Sequence, residues 1–320
     1  MRHAVLTPFF GKLRDRFCEY HEPLPLAEKL RRAAGIRGVE GVEIIFPDEC
    51  ADAASITPAL AETKLDVAAV NVNLKGERMF QRGALSSPDP GVRRRAVELL
   101  CEGKKLAAEL GAERVTCAPL ADGYDYPLQI DYRQAWRRMV DCVAQAGSFL
   151  PEVMLHIEHK PAEPRTRGLL DTSAKVIRLC RDAGVGNLGV TFNAGHAMYD
   201  GGCAAAAFAE VLTVERPYYI HFCDATTGWD WDLIAESHHL WQWAEFLFYL
   251  RQDGYQGWIT ADTFPVRQDG SEMFAANIEV TERICQWLDQ LDSEAVVQAL
   301  ERHQARPMLK ELEQWIPLPA

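Results

Sequence analysis

The chain has 320 residues, of which 48% are hydrophobic and 25% are charged, as in ordinary folded globular proteins. This composition excludes a mostly disordered or fibrous protein, and the length suits one large domain or two of ordinary size. The formal net charge of -12 argues against nucleic acid and anionic membrane surfaces as partners, because both bind basic faces.

The N-terminal sequence lacks the pattern of a targeting segment, because charges return at Lys12 and Asp15 after a short apolar stretch. No run of about 18 apolar residues occurs that would predict a membrane span. The 9 cysteines are scattered from Cys18 to Cys285 without close pairs, a pattern typical of reduced and mostly buried thiols. We therefore expect a cytoplasmic protein.

Short apolar runs rich in β-branched and aromatic residues recur along the chain and predict strands. The eight candidates span residues 3–10, 41–46, 66–74, 114–120, 153–158, 188–193, 218–223 and 257–262. Between them, apolar residues recur with helical spacing. The clearest helical stripe runs from Val92 to Leu110, after a start signal at Asp89-Pro90 and before a stop signal at Gly111.

Eight strands that alternate with helices predict an α/β fold, a single (β/α)8 TIM barrel over residues 1–292. A doubly wound open sheet is the alternative, but the chain lacks the GxGxxG and GxxxxGK[ST] loops that would favour it. After residue 292 the pattern changes, and we expect residues 293–320 to form a C-terminal helical tail. Such a tail packs on its own barrel or on a neighbouring subunit, and we expect a homo-oligomer, either a dimer or a tetramer.

Polar side chains stand at or just after the ends of the last four predicted strands. They are Glu158 with His159 and Lys160, Asn193 with His196, His221 with Asp224, and Asp262. In a parallel barrel these strand ends converge on one rim, where active sites lie. Oxygen and imidazole donors there favour a divalent cation, which would also offset the cost of burying carboxylates. As structural alternatives, Glu158 could form a salt bridge with Lys160 or Arg165, and His221 could be a core histidine.

Three segments of this half of the chain carry a resemblance to a known family. The sequence IEHKPAEPR (157–165) resembles the EPKPNEPR-type motif of the xylose isomerase family, and NAGH (193–196) is similar to its ETGH-type segment. WDWDL (229–233) matches the F-D-x-D-L signature of that family. With the preceding residues, IHFCDATTGWDWDL is similar to the H-x-N-D…D-x-D-L pattern of rhamnose isomerases. The order and spacing agree over roughly residues 150–265.

The resemblance implies a metal-dependent isomerase that interconverts an aldose and a ketose by a metal-assisted hydride shift. Carried over position by position, the ligands of a structural metal would be Glu158, Asn193, His221 and Asp262. Those of a second, mobile metal would be Asn193, His196, Asp230 and Asp232. This oxygen-rich set favours Mn²⁺, with Mg²⁺, Co²⁺ or Zn²⁺ as alternatives.

The resemblance also implies roles toward a small-molecule sugar. The catalytic residues would be Glu158, Lys160 and Asp262, with Lys160 donating to the carbonyl oxygen of an open-chain substrate. The substrate-binding residues would be His196, Trp229, Trp231 and Arg267. Ordinary packing is the alternative role for both tryptophans.

Two positions depart from the family pattern. Asn193 stands where the family carries an acid, so we expect weaker metal binding. No histidine follows the second strand, where Asp48 and Glu49 stand instead, so the ring-opening histidine of xylose isomerases has no match here. We therefore expect either a substrate other than xylose or a sugar that arrives already open or modified. Two other functions remain open. One is a ketose 3-epimerase that uses Glu158 and Asp262 as an acid/base pair, and the other is a non-catalytic sugar-binding protein with a decayed metal site.

Overall fold

Eight parallel strands close into a barrel in the computed structural model, which describes residues 1–163, 166–199, 201–226, 228–305 and 310. For Trp229, Asp230 and Ser293 it describes the backbone alone. The strands are β1 (Arg2–Leu6), β2 (Val39–Phe46), β3 (Asp66–Val72), β4 (Arg114–Cys117), β5 (Met154–Glu158), β6 (Leu188–Asn193), β7 (Tyr218–Phe222) and β8 (Trp258–Ala261). Strands that follow one another in the chain are neighbours, and β8 pairs with β1 to close the barrel. The predicted TIM barrel is confirmed.

The first strand is shorter than predicted. Residues Thr7–Phe10 form a 3₁₀ helix in place of the predicted strand continuation. Pro8 lies in its first turn, where a residue without an N–H fits best, and the same missing donor makes Pro8 unsuited to a central strand. The strand therefore ends at Leu6.

Helices surround the barrel and bury their apolar faces against it. Among the described residues they are α1 (Leu26–Ala34), α2 (Thr57–Thr63), α3 (Pro90–Glu109), α4 (Tyr132–Ser148), α5 (Ser173–Ala183), α6 (Ala194–Tyr199), α7 (Ala204–Leu212), α8 (Leu240–Gln252), α9 (Gly270–Leu288) and α10 (Ser293–Glu301). The carboxylate of Asp89 caps α3 by accepting from Gly91 N, and that of Asp131 caps α4 by accepting from Arg133 N and Gln134 N. Both helices therefore begin where their capping residues predict.

The inside of the barrel is polar below the strand tips. Thr116 Oγ1 and Thr191 Oγ1 lie 2.6 Å apart across it. Glu43, on β2, accepts from Asn71 Nδ2 at 2.8 Å and from the Tyr219 hydroxyl at 2.7 Å. Branched apolar side chains usually fill the interior of such barrels, so a layer of polar side chains there is uncommon.

Short antiparallel ribbons extend the C-terminal rim of the barrel. A three-stranded sheet joins residues 123–124, 162–163 and 166–168, and Asp224–Thr226 pairs with Trp229–Leu233 after β7. A third ribbon pairs Leu13–Arg14 with Glu19–Tyr20 after β1. Loops at this rim carry the chemistry in barrels of this kind.

The predicted division at residue 292 stays a prediction. Helix α10 begins at Ser293, as expected for a helical tail. Residues 306–309 and 311–320 lie outside the described part of the chain. None of the described helices combines the length and the apolar character of a membrane span.

Candidate metal centre

Three polar side chains meet at the C-terminal ends of β5, β6 and β8. Glu158 and Asn193 are the last residues of their strands, and Asp262 directly follows β8. Asn193 Nδ2 lies 3.0 Å from Glu158 Oε1 and 3.0 Å from Asp262 Oδ2 and donates to both. Parallel strands bring these residues together although they are far apart in the sequence.

Two imidazoles flank the carboxylates. His196, on α6, has Nδ1 2.9 Å from the carbonyl oxygen of His159 and 3.2 Å from Glu158 Oε1. His221, on β7, has Nδ1 3.3 Å from Glu158 Oε1 and 3.9 Å from Asp262 Oδ2. The four residues thus face one another at the centre of the rim.

The donor set fits a divalent cation. Glu158, His196 and Asp262 offer ligand atoms that all lie within 4.8 Å of one another, and His221 Nδ1 lies beside them. Ligand atoms about 2.1 Å from an ion lie about 3.0 Å apart when adjacent and about 4.2 Å apart when opposite. The separations in this cluster are comparable, so small shifts would close it on an ion. Two carboxylates with imidazole nitrogens suit Mn²⁺, Co²⁺ and Zn²⁺.

The two carboxylates differ in their electrostatic surroundings. Burial raises the pKa of Asp262 to about 6, although the charge of His221 opposes this. Burial acts on Glu158 in the same direction, but the charge of His221 and hydrogen bonds with His196 and His221 hold the pKa of that carboxyl well below its usual value. Glu158 is therefore the ionised member of the pair, and Asp262 is the more readily protonated one.

The amide of Asn193 is oriented by the helix that follows it. Its Oδ1 accepts from His196 N at 3.2 Å, in the manner of a helix cap, and from Cys223 Sγ at 3.5 Å. Its NH₂ group therefore faces Glu158 and Asp262, and an amide nitrogen that carries two hydrogens is a donor, not a metal ligand. Ligation through Oδ1 requires the amide to turn over, which would set its NH₂ group against the His196 N–H.

The remaining predicted residues lie around this centre. Lys160 Nζ is 3.0 Å from Glu163 Oε1, and the charge of Lys160 is among those that lower the pKa of Asp262 against the dominant effect of burial. Asp232 Oδ1 lies 3.7 Å from Cys223 Sγ, and Asp232 has a φ of +43°, an uncommon conformation for a residue other than glycine.

Some residues that were predicted to bind the sugar or the metal are exposed, and the side chains of others lie outside the described part of the chain. Trp231 is 51% exposed on the ribbon after β7. Arg267 is exposed between β8 and α9. Within the described part of the chain, no hydrogen bond joins it to Glu158 or Asp262. The side chains of Trp229 and Asp230 lie outside the described part of the chain.

Sequence reasoning missed Glu43, whose carboxylate lies beneath the centre. Glu43 Oε2 is 2.8 Å from His221 Nε2. The available signal was a charged residue between Val42 and Ile44 in an apolar strand. Of the two acids noted after β2, Glu49 binds Lys29 Nζ at 2.5 Å, a structural contact.

The fold and the rim define the class of this protein. The profile of the xylose isomerase-like TIM barrel family matches residues 30–291, and the chain belongs to this family. The resemblance found in the sequence is thereby confirmed.

Curated relatives carry isomerase names. The chain is 29% identical to the xylose isomerase of Thermus thermophilus over 225 residues, which cover 67% of this chain and 57% of that protein. It is 29% identical to a probable sugar isomerase of Mesorhizobium japonicum over 159 residues, which cover 47% of this chain and 37% of that protein. The chain thus spans about half of the first relative's length and less of the second's.

Solved structures share the fold. A D-tagatose 3-epimerase-like protein superposes with a TM-score of 0.67 at 19% identity, covering 89% of this chain and 99% of that one. An L-ribulose 3-epimerase superposes with a TM-score of 0.68 at 17% identity, covering 91% and 98%. At these identities the likeness establishes the fold alone.

Proposed function

We propose that the protein is a metal-dependent sugar isomerase that interconverts an aldose and a ketose. The observation that carries the proposal is the convergence of Glu158 and Asp262 with His196 and His221 at the catalytic rim of the barrel, at spacings that fit one divalent cation. The isomerase names of the curated relatives support it.

The residues at the rim would have different roles. Glu158, His196 and Asp262 would hold the cation, with His221 beside them, and Mn²⁺ is the favoured ion, with Mg²⁺, Co²⁺ and Zn²⁺ as alternatives. The bound ion would supply a Lewis acid for the oxygens of the sugar. Lys160 would donate to the carbonyl oxygen of the open-chain substrate as hydrogen moves between C1 and C2. The substrate would be a small sugar other than xylose, or one that arrives already open or modified, because no histidine follows β2 to open the ring.

A substrate screen tests the proposal. Aldoses and ketoses are incubated with the protein and each of the four metals, and the products are separated by chromatography. Glu158→Gln should abolish turnover while leaving the protein folded, because it removes a ligand charge without changing the shape of the side chain. Glu109→Gln, at the exposed end of α3, is the matched control and should keep full turnover. Wild-type turnover in Glu158→Gln would rule out this site.

A ketose 3-epimerase is the second candidate, and one observation favours it. The pKa values of Glu158 and Asp262 are shifted in opposite directions, as for a base paired with an acid. Conversion in D₂O separates the two reactions. An epimerase that passes a proton at C3 leaves solvent deuterium at C3 of the product, whereas a hydride shift between C1 and C2 leaves C3 unlabelled. The homo-oligomeric state and the cytoplasmic location stay predictions.

A further inference from the structure

Glu43 is an acid that lies beneath the candidate metal centre. It is fully buried inside the barrel, where an isolated carboxylate would be costly. Three donors offset that cost. Asn71 Nδ2 is 2.8 Å from Oε1, and the Tyr219 hydroxyl and His221 Nε2 are 2.7 Å and 2.8 Å from Oε2. Of these three donor residues, only His221 was predicted from the sequence to be a site residue.

His221 connects Glu43 to the rim. Its imidazole has Nε2 on Glu43 below and Nδ1 toward Glu158 and Asp262 above. The two ring nitrogens point in different directions, so a hydrogen bond at Nε2 fixes both the rotation of the ring and the nitrogen that faces the rim. A carboxylate behind a metal-binding histidine commonly sets its orientation and its tautomer in this way.

We propose that Glu43 is a positioning residue that holds His221 with Nδ1 facing the candidate metal centre. The inference deepens the proposed function and rests on it for the identity of the metal centre. A purely structural Glu43 would instead only link β2 to β3 through Asn71 and to β7 through Tyr219. The two roles differ in which of its hydrogen bonds affects metal binding.

Metal affinity distinguishes these roles. Mn²⁺ binding to the metal-free full-length protein is measured by calorimetry for the wild type, Glu43→Ala, Glu43→Gln and Tyr219→Phe. We expect Glu43→Ala to weaken Mn²⁺ binding by about 10- to 100-fold, the usual effect of losing the partner of a ligand. Glu43→Gln keeps an acceptor for Nε2–H and should lose less. Tyr219→Phe removes a hydrogen bond from the same carboxylate but keeps the ring that packs edge-on against His221, and its affinity should be unchanged.

Two results would overturn the inference. One is wild-type Mn²⁺ affinity in folded Glu43→Ala. The other is an equal loss in Glu43→Ala and Tyr219→Phe, which would make Glu43 a structural residue. If Glu43→Ala does not fold, Glu43→Gln and Tyr219→Phe carry the comparison, and equal affinity in both would count against positioning.

A spectroscopic measurement separates this inference from the proposed function. In ¹⁵N-histidine spectra of the metal-free protein, assigned through His221→Gln, we expect a slowly exchanging Nε2–H on His221 in the wild type and in Tyr219→Phe. That signal should be lost in Glu43→Ala. If the wild type binds no Mn²⁺, the proposed metal dependence fails while this spectrum still decides whether Glu43 orients His221. An unchanged Nε2–H signal in Glu43→Ala would reject the positioning role whatever the metal result.

Discussion

Asn193 places an uncharged NH₂ group between two buried carboxylates. In the metal-free protein this group offsets the repulsion between Glu158 and Asp262, because it donates to both. A cation bound at the proposed site would compete with the same group for the carboxylate oxygens. We therefore expect the site to stay together without a metal and to bind a metal less tightly than a site with a third acid would.

Asn193→Asp should reverse both effects. Three acids would then share one buried cluster, so the melting temperature in EDTA should fall below that of the wild type. The added ligand should tighten Mn²⁺ binding by about tenfold, or 1.4 kcal/mol. Calorimetry and thermal unfolding with and without Mn²⁺ measure the two effects.

Asn187→Asp is the matched control, because Asn187 is buried away from the rim and donates to the carbonyl oxygen of Gly147. Its cost in stability should be the same with and without Mn²⁺. Unaltered metal affinity in Asn193→Asp would mean that position 193 takes no part in metal binding.

Glu236 is a buried acid whose ionisation the fold opposes. Burial raises its pKa to about 8 from an ordinary 4.5, although the hydrogen bond from Thr281 Oγ1 opposes this. Its Oε2 has no hydrogen-bond partner among the described residues. Between these two pKa values the unfolded chain is ionised at this position and the folded chain holds a proton. Its contribution to stability is therefore full below about pH 4.5 and declines as the pH rises toward 8.

Glu236→Gln should remove that decline, because glutamine keeps an acceptor for Thr281 Oγ1 and cannot ionise. Urea unfolding should show the variant close to the wild type at about pH 5 and more stable by a few kcal/mol, as an order of magnitude, at about pH 8.5. Glu279→Gln, exposed on α9, should match the wild type at both values. A constant difference between Glu236→Gln and the wild type across the range would contradict a raised pKa.

At the scale of elements, Lys104 links two helices. Its side chain is fully buried although it lies on α3, and its Nζ donates to the carbonyl oxygens of Ala146, Gly147 and Phe149 at the C-terminal end of α4. The oxygens of Ala146 and Gly147 have further donors in Phe149 N and Asn187 Nδ2. The Phe149 oxygen has Lys104 alone among the described residues. A cation at this end of α4 also suits the helix dipole. Burial lowers the pKa of Lys104 to about 8.

Lys104→Met should weaken this connection. Methionine fills the same space but removes a donor from all three oxygens and leaves that of Phe149 with none among the described residues, at a cost of about 1–3 kcal/mol in the free energy of unfolding. Denaturant unfolding measures the cost. Lys105→Met, at the exposed neighbouring position, should change stability little. Equal stability of the two variants would show that water satisfies these carbonyls instead.

The elements themselves were predictable because their signals are local. Eight apolar runs became eight strands, and Asp89 and Asp131 each began a helix where capping chemistry places one. The placing of Glu158, Asn193 and Asp262 at one rim followed from strand polarity. Glu43 did not follow, because its contact with His221 joins residues far apart in the sequence. The amide orientation of Asn193 did not follow either, because it combines a local cap on His196 N with contacts to distant carboxylates.

At the scale of the whole molecule, the candidate metal centre joins four neighbouring strands of the closed barrel. Glu158, Asn193, His221 and Asp262 come together only when β5, β6, β7 and β8 are in register, so the unfolded chain has no such site. A ligand that binds the folded state alone stabilises it by mass action, by about 2.7 kcal/mol at 100 times its dissociation constant. We therefore expect metal binding to raise the free energy of unfolding of the entire barrel.

Saturating Mn²⁺ should raise the melting temperature by a few degrees, since 1 kcal/mol shifts the melting temperature of a chain of 320 residues by about 1–2 °C. Excess EDTA should reverse the gain. Glu158→Gln and Asp262→Asn should melt at temperatures that respond much less to Mn²⁺, because each lacks one ligand charge, whereas Glu109→Gln should respond as the wild type does. A gain of equal size in all four proteins would place the ion elsewhere on this acidic chain, whose net charge is -12, and would separate metal binding from the rim.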